Sequence, residues 1–169
     1  MKQTVSTLLA CALALASTAT FASKADELQR PRNFTRDFQV PTVPTGGLTT
    51  VLTQNFDGAF PPAGWTVVNN EAGGPTWGNL AACGESGNFT NGSGDVACIS
   101  SDVFGAAEMD AELRTPSINL AGFAAPAALT FTVNYQNFAN LDFFTVDVST
   151  NGGGAWTNLL SWNEDHGGF

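Results

Sequence analysis

Acid–base chemistry in this chain would have to begin from very few residues. His166 is the single histidine, and a serine–histidine–acid arrangement needs it fixed beside a nucleophile and a carboxylate. Ser100, Ser101 and Ser149 stand in no nucleophile-elbow pattern such as GxSxG. Asp57, Glu108, Asp110 and Glu112 offer carboxylates for a glycosidase pair, but that chemistry depends on separation in space, which spacing in sequence does not fix. Acids of this kind are more often solvated on loops. Trp65, Trp77, Trp156 and Trp162 can stack on sugars, but tryptophan is more often a core or sheet-edge residue. No nucleophile, base or metal cage recurs at a recognisable spacing, so the residues point away from catalysis.

Cysteine usage and the N-terminus bear on the compartment. Lys2 is followed by an apolar run from Leu8 to Ala16 and by small residues ending STATFAS, with no acid before Asp26. That order is the signature of a secretory signal, with cleavage expected after Ala22. The run is shorter than the ~20 residues of a spanning helix, and no later stretch replaces it, so no transmembrane segment is expected. Cys11 faintly matches a lipoprotein box, but the apolar stretch continues past it where a lipidation site would end. Removal of the signal leaves Cys83 and Cys98. In an exported protein an even pair usually closes a disulfide, and this is favoured over two free thiols or half of a metal site, since neither a CxxC nor a nearby histidine is present.

The 169 residues suffice for one β domain. Of the six basic residues only Arg114 lies beyond Arg36, whereas thirteen of the fifteen acids do. So acidic a surface repels phosphate backbones and anionic lipid heads, which excludes nucleic acid as a partner and favours cations or neutral ligands such as sugars.

The elements follow from patterning. Residues 23–47 carry Pro31, Pro41 and Pro44 and read as an extended linker; its arginines 30, 32 and 36 read as a solvated charge run. The domain is expected to span 48–169, opening with a strand in LTTVLTQNF from Leu48. Pro61 and Pro62 make Asp57–Ala63 a loop, and Trp65, Val67 and Val68 begin a second strand. A short strand is expected around Trp77, an exposed loop over Cys83–Gly94, and strand again over Val96–Ile99. Asn33, Asn88 and Asn91 match glycosylation acceptors, as Asn- and Gly-rich turns do by chance. Pro116 and the spacing of neighbouring strands favour a strand over Ala111–Thr115, although Ala, Glu and Met there also suit a helix. Leu129, Phe131, Val133 and Tyr135 alternate with polar residues, the mark of an amphipathic strand. The same period-two pattern runs through Phe144, Val146 and Val148; Asn151–Gly154 then turns the chain back through Trp156 and Leu160 as a β-hairpin. Many short strands with Gly- and Pro-rich turns predict an all-β sandwich or jelly roll.

Taken in order, QNFDGAFPPAGWTVVN, DAELRTPSINLAG, ALTFTVNYQ and DFFTVDVSTNGGGAWTNL resemble successive segments of the choice-of-anchor J and cleaved-adhesin modules of bacterial exported proteins, jelly rolls related to MAM domains. The resemblance covers about Thr50 to Leu160. It implies a secreted or cell-surface, usually non-catalytic module that meets an extracellular glycan or protein ligand; the alternative is the accessory domain of a secreted hydrolase, such as a peptidase, whose catalytic part lies outside this chain. Such modules continue past the strand of Trp156, so the jelly roll is expected to be incomplete at its C-terminal end. The resemblance also implies a structural Ca²⁺ held by Asp57 in NFDG and Asp110 in MDAELRTP; Asp142, opening the strand before FFTVDVS, is a candidate third ligand by its position, and hard oxygen donors on loops suit that ion. STNGGGAW also resembles the Asp-box of sialidases, with Asn151 in place of the Asp, but a propeller would repeat it and a single copy is present.

Overall fold

The computed structural model describes residues 49–101, 107–123, 126–137 and 141–167, all within the second of two compact units, 31–169. The expected signal peptide (1–22) and linker (23–47) lie outside the described residues.

Strand β1, Thr66–Asn69, pairs antiparallel with β2, Ala111–Arg114, in the register Thr66↔Arg114 to Asn69↔Ala111. Val67 and Val68 give β1 its pleated, half-buried character. A turn in which the Trp65 N–H reaches the Pro62 carbonyl at 2.9 Å precedes it, and Asn69 ends it by accepting the Glu71 N–H. β2 ends before Pro116, as expected, because proline cannot donate to a ladder.

Between these strands lies α1, Leu80–Cys83, one turn that the reading of short strands and loops did not anticipate. Asn79 caps it, its Oδ1 accepting the Ala82 N–H at 3.0 Å, and Gly84 closes it in the left-handed region at φ 77°. On either side the short strands expected near Trp77 and over Val96–Ile99 are reduced to one antiparallel bridge, Gly78↔Cys98. The disulfide joins Cys83 to Cys98 with Cα atoms 5.9 Å apart, so helix, bridge and covalent link close the same loop.

The hairpin is β3, Phe144–Val148, against β4, Thr157–Trp162. Its register shifts between Val146 and Asp147, so that Val146 faces Leu160 while Asp147 faces Asn158. Leu159 is left opposite no residue and turns outward, 61% exposed. The Asn158 side chain bridges the irregularity, donating to Asp147 Oδ1 and to the Leu160 carbonyl, each at 2.9 Å.

Two expected strands differ from the reading. The segment opening at Leu48 forms no strand over 49–57: Gln54 Oε1 accepts the Phe56 N–H and Asn55 Oδ1 the Asp57 N–H. Side-chain acceptors thus take the donors that a ladder would use, and Phe56 adopts the left-handed region at φ 64°. Leu129–Tyr135 shows no alternation in burial, residues 129–132 being exposed and 133–135 half-buried, and it pairs only at Tyr135, opposite His166.

Aromatic packing supplies most of the interior. The Phe144 ring stands 5.4 Å from Trp162, 5.7 Å from Tyr135 and 6.3 Å from Phe131, centroid to centroid. Trp162 is buried and lies flat against His166 at 3.8 Å. A second cluster sets Trp65 edge-on to Phe56 at 5.2 Å, with Phe60 beside it. Among the described residues the strands thus form two small antiparallel sheets with almost no helix. The class is all-β, as read from the sequence.

Candidate functional site

The residues expected to hold calcium fall into separate hydrogen-bond sets. Asp57 ties the first segment to the disulfide loop: its Oδ1 accepts the Asp95 N–H at 2.7 Å, and its Oδ2 accepts from Asn55 Nδ2 at 2.9 Å. Asp95 in turn accepts the N–H groups of Leu80 and Val96, and these bonds, Leu80's foremost, hold its carboxyl below the usual carboxylate range. Asp110 accepts from Asn70 Nδ2 at 3.2 Å. Asp142, beside the buried Asn137, offers its main-chain carbonyl to that residue's Nδ2 at 2.7 Å. Among the described residues, no three His, Cys, Asp or Glu side chains are gathered closely enough to hold a metal ion together.

Several of the candidate catalytic groups have structural occupations. Ser149 Oγ donates to Asn151 Oδ1 and accepts the Gly153 N–H inside the hairpin turn. Ser100 Oγ donates to Glu85 at 2.7 Å. His166 stacks on Trp162 and meets Glu164 Oε1 at 3.4 Å. Glu112 is kept ionised: the side-chain bond from Arg114, then that from Asn70, lowers its pKa. A glycosidase general acid needs the opposite shift.

What the fold does assemble is a polar row ending on an aromatic ring. Antiparallel pairing of β1 with β2 sets Asn70, just past β1, beside Asp110 and Glu112. Its Nδ2 donates to Asp110 Oδ1 at 3.2 Å and to Glu112 Oε1 at 3.0 Å. Glu112 Oε2 accepts from Arg114 Nε at 2.7 Å. The Arg114 guanidinium then lies over Trp156, its Cζ 5.1 Å from the ring centroid, linking the first sheet to the turn of the hairpin. Of the four tryptophans only Trp156 is exposed, at 45%. Trp162 is core, Trp65 packs on Phe56, and Trp77 donates its Nε1–H to the Ala111 carbonyl at 3.1 Å.

The model of the Cleaved Adhesin Domain family matches residues 49–165. The chain belongs to the cleaved adhesin domain family. No curated protein and no solved structure matches it. The matched span of this adhesin domain holds both sheets, the disulfide and the whole polar row. Among the described residues no helix is long and apolar enough to cross a membrane. Of the row, Asn70 and the partnership of Arg114 with Trp156 escaped the sequence reading. Arg114 was nonetheless conspicuous as the one basic residue beyond Arg36.

Proposed function

We propose that this chain is an exported, non-catalytic adhesin-type module with a jelly-roll sandwich fold, which binds a glycan or protein ligand outside the cell. The observation that carries the reading is the family match over 49–165. Two features support it: the acidic balance, which favours cations or neutral extracellular ligands, and the structural occupation of Ser100 and Ser149. A functional role for the module is tested by retention of beads carrying the full chain on glycoprotein-coated surfaces. Retention above that of albumin-coated beads is expected; equal retention overturns the reading. Export is tested by mass spectrometry of the periplasmic or secreted product, expected to begin at Ser23.

Calcium enters this reading through charge rather than through a formed cage. Twelve acids follow Leu48 and only Arg114 offsets them, so a bound cation would relieve self-repulsion. Asp57 and Asp110 are the ligands to vary first. The expected result is a melting temperature that rises with free Ca²⁺, falls on chelation, and loses that dependence in Asp57→Ala and Asp110→Ala. Identical melts with calcium and with chelator reject the ion.

A further inference from the structure

We propose that Trp156, with Arg114, Glu112 and Asn70, forms a binding platform for a neutral saccharide; this deepens, and rests on, the adhesin reading. A sugar presents an apolar face of C–H groups and an edge of hydroxyls. Recognition therefore calls for an exposed aromatic face beside planar polar side chains fixed before the ligand arrives.

Trp156 supplies the face. It alone among the tryptophans is exposed, and since the Arg114 guanidinium lies over one side of the ring at 5.1 Å, the side available to a sugar is the opposite one. Arg114, Glu112 and Asn70 supply the edge. Each is oriented by the next, through the 2.7 Å bond from Arg114 Nε to Glu112 and the 3.0 Å bond from Asn70 Nδ2 to Glu112. Each also keeps capacity for a ligand. The guanidinium has five N–H donors, of which the Nε–H alone goes to Glu112. Asn70 Oδ1 accepts no bond among the described residues, and the Arg114 and Glu112 side chains remain 35% and 38% exposed.

Charge selects the class of sugar. Arg114, the single arginine among the described residues, is already paired with Glu112 and sits in a chain of net charge −9, so a sialylated or uronic ligand would meet repulsion that a neutral one does not.

The test exposes the full chain to an immobilised panel of galactose-, glucose- and mannose-terminated oligosaccharides and their sialylated counterparts, with titration by tryptophan fluorescence. Binding to at least one neutral glycan with a change in emission is expected. Trp156→Ala should weaken it about tenfold or more, Asn70→Ala should weaken it by less, and Trp156→Phe should retain part of it. Melting curves of the variants show whether the fold is kept, and Asn70→Ala serves as the second arm if Trp156→Ala fails to fold. Glycan binding indifferent to both substitutions, or binding confined to sialylated glycans, overturns the proposal. So does bead retention on protein surfaces without glycan binding, which leaves the adhesin reading standing. Loss of bead retention and glycan binding together removes both.

Discussion

Gly94 has no room for a side chain, because the Asp57 carboxylate occupies the place a Cβ would take. It also sits at φ 82°, in the left-handed region that side chains seldom adopt. Gly94→Ala is therefore expected to cost about 1–3 kcal/mol, through strain and the displaced Asp57–Asp95 bond. An unchanged urea midpoint would show that the loop yields without penalty. Asp95 itself carries a pH prediction. Its carboxyl is held below the ordinary value by the Leu80 and Val96 N–H groups. Its contribution is thus complete above the unfolded-state pKa and drains away as pH falls through the folded one. Over the range from about pH 5 to about pH 3 the acid limb of the stability curve should be shallower in Asp95→Asn than in the parent. Parallel limbs in denaturant titrations would remove Asp95 from the acid response.

Elements were legible where a local pattern or punctuating residue marks them and obscure where none does. The hairpin was readable because Asn151–Gly154 sets its turn and the alternation of Phe144 and Val146 sets its face, and the strand over 111–114 because Pro116 bounds it. The bulge was hidden: period-two counting has no sign for the Asn158 side chain that lets β4 slip by one residue. Leu129–Tyr135 shows the limit from the other side, since alternation announces a pleated face without saying whether a neighbour will pair with it. For the candidate site, Trp156 and Arg114 could each be named from sequence, but their meeting depends on how the first sheet stands against the hairpin, 42 residues along. The disulfide joins local and distant order. Cys83–Cys98 spans a separation of 15 residues, and in the chain-entropy model that loop is worth about 3 kcal/mol. The Cys83→Ala/Cys98→Ala double variant should lose about that much stability, and non-reduced peptide mapping of exported protein should recover the linked pair. Two alkylatable thiols in native material would contradict the pairing.

At the scale of the molecule, apolar contact and like charge oppose each other. Leu129, Leu141, Phe143 and Leu159 are each more than 60% exposed, and Phe131 is 45% exposed. Leu129 and Phe131 belong to the stretch 129–134, which makes no backbone hydrogen bond among the described residues. An unpaired edge next to exposed apolar side chains invites association with a second strand. Against this stands a net charge of −9, which makes two copies repel each other over a Debye length of about 10 Å at 0.1 M salt. Salt shortens that range and leaves the contact forces in place, so the balance should tip with ionic strength. The chain is expected to sediment as a monomer at low salt and to associate as salt rises to about 0.5 M, where repulsion is largely screened. Leu129→Lys, at a position already in solvent, should suppress that association by placing a charge on the edge without disturbing the interior. Sedimentation velocity across a salt series decides the matter. A constant monomer mass, or association that Leu129→Lys leaves untouched, would show that the exposed edge does not drive self-contact.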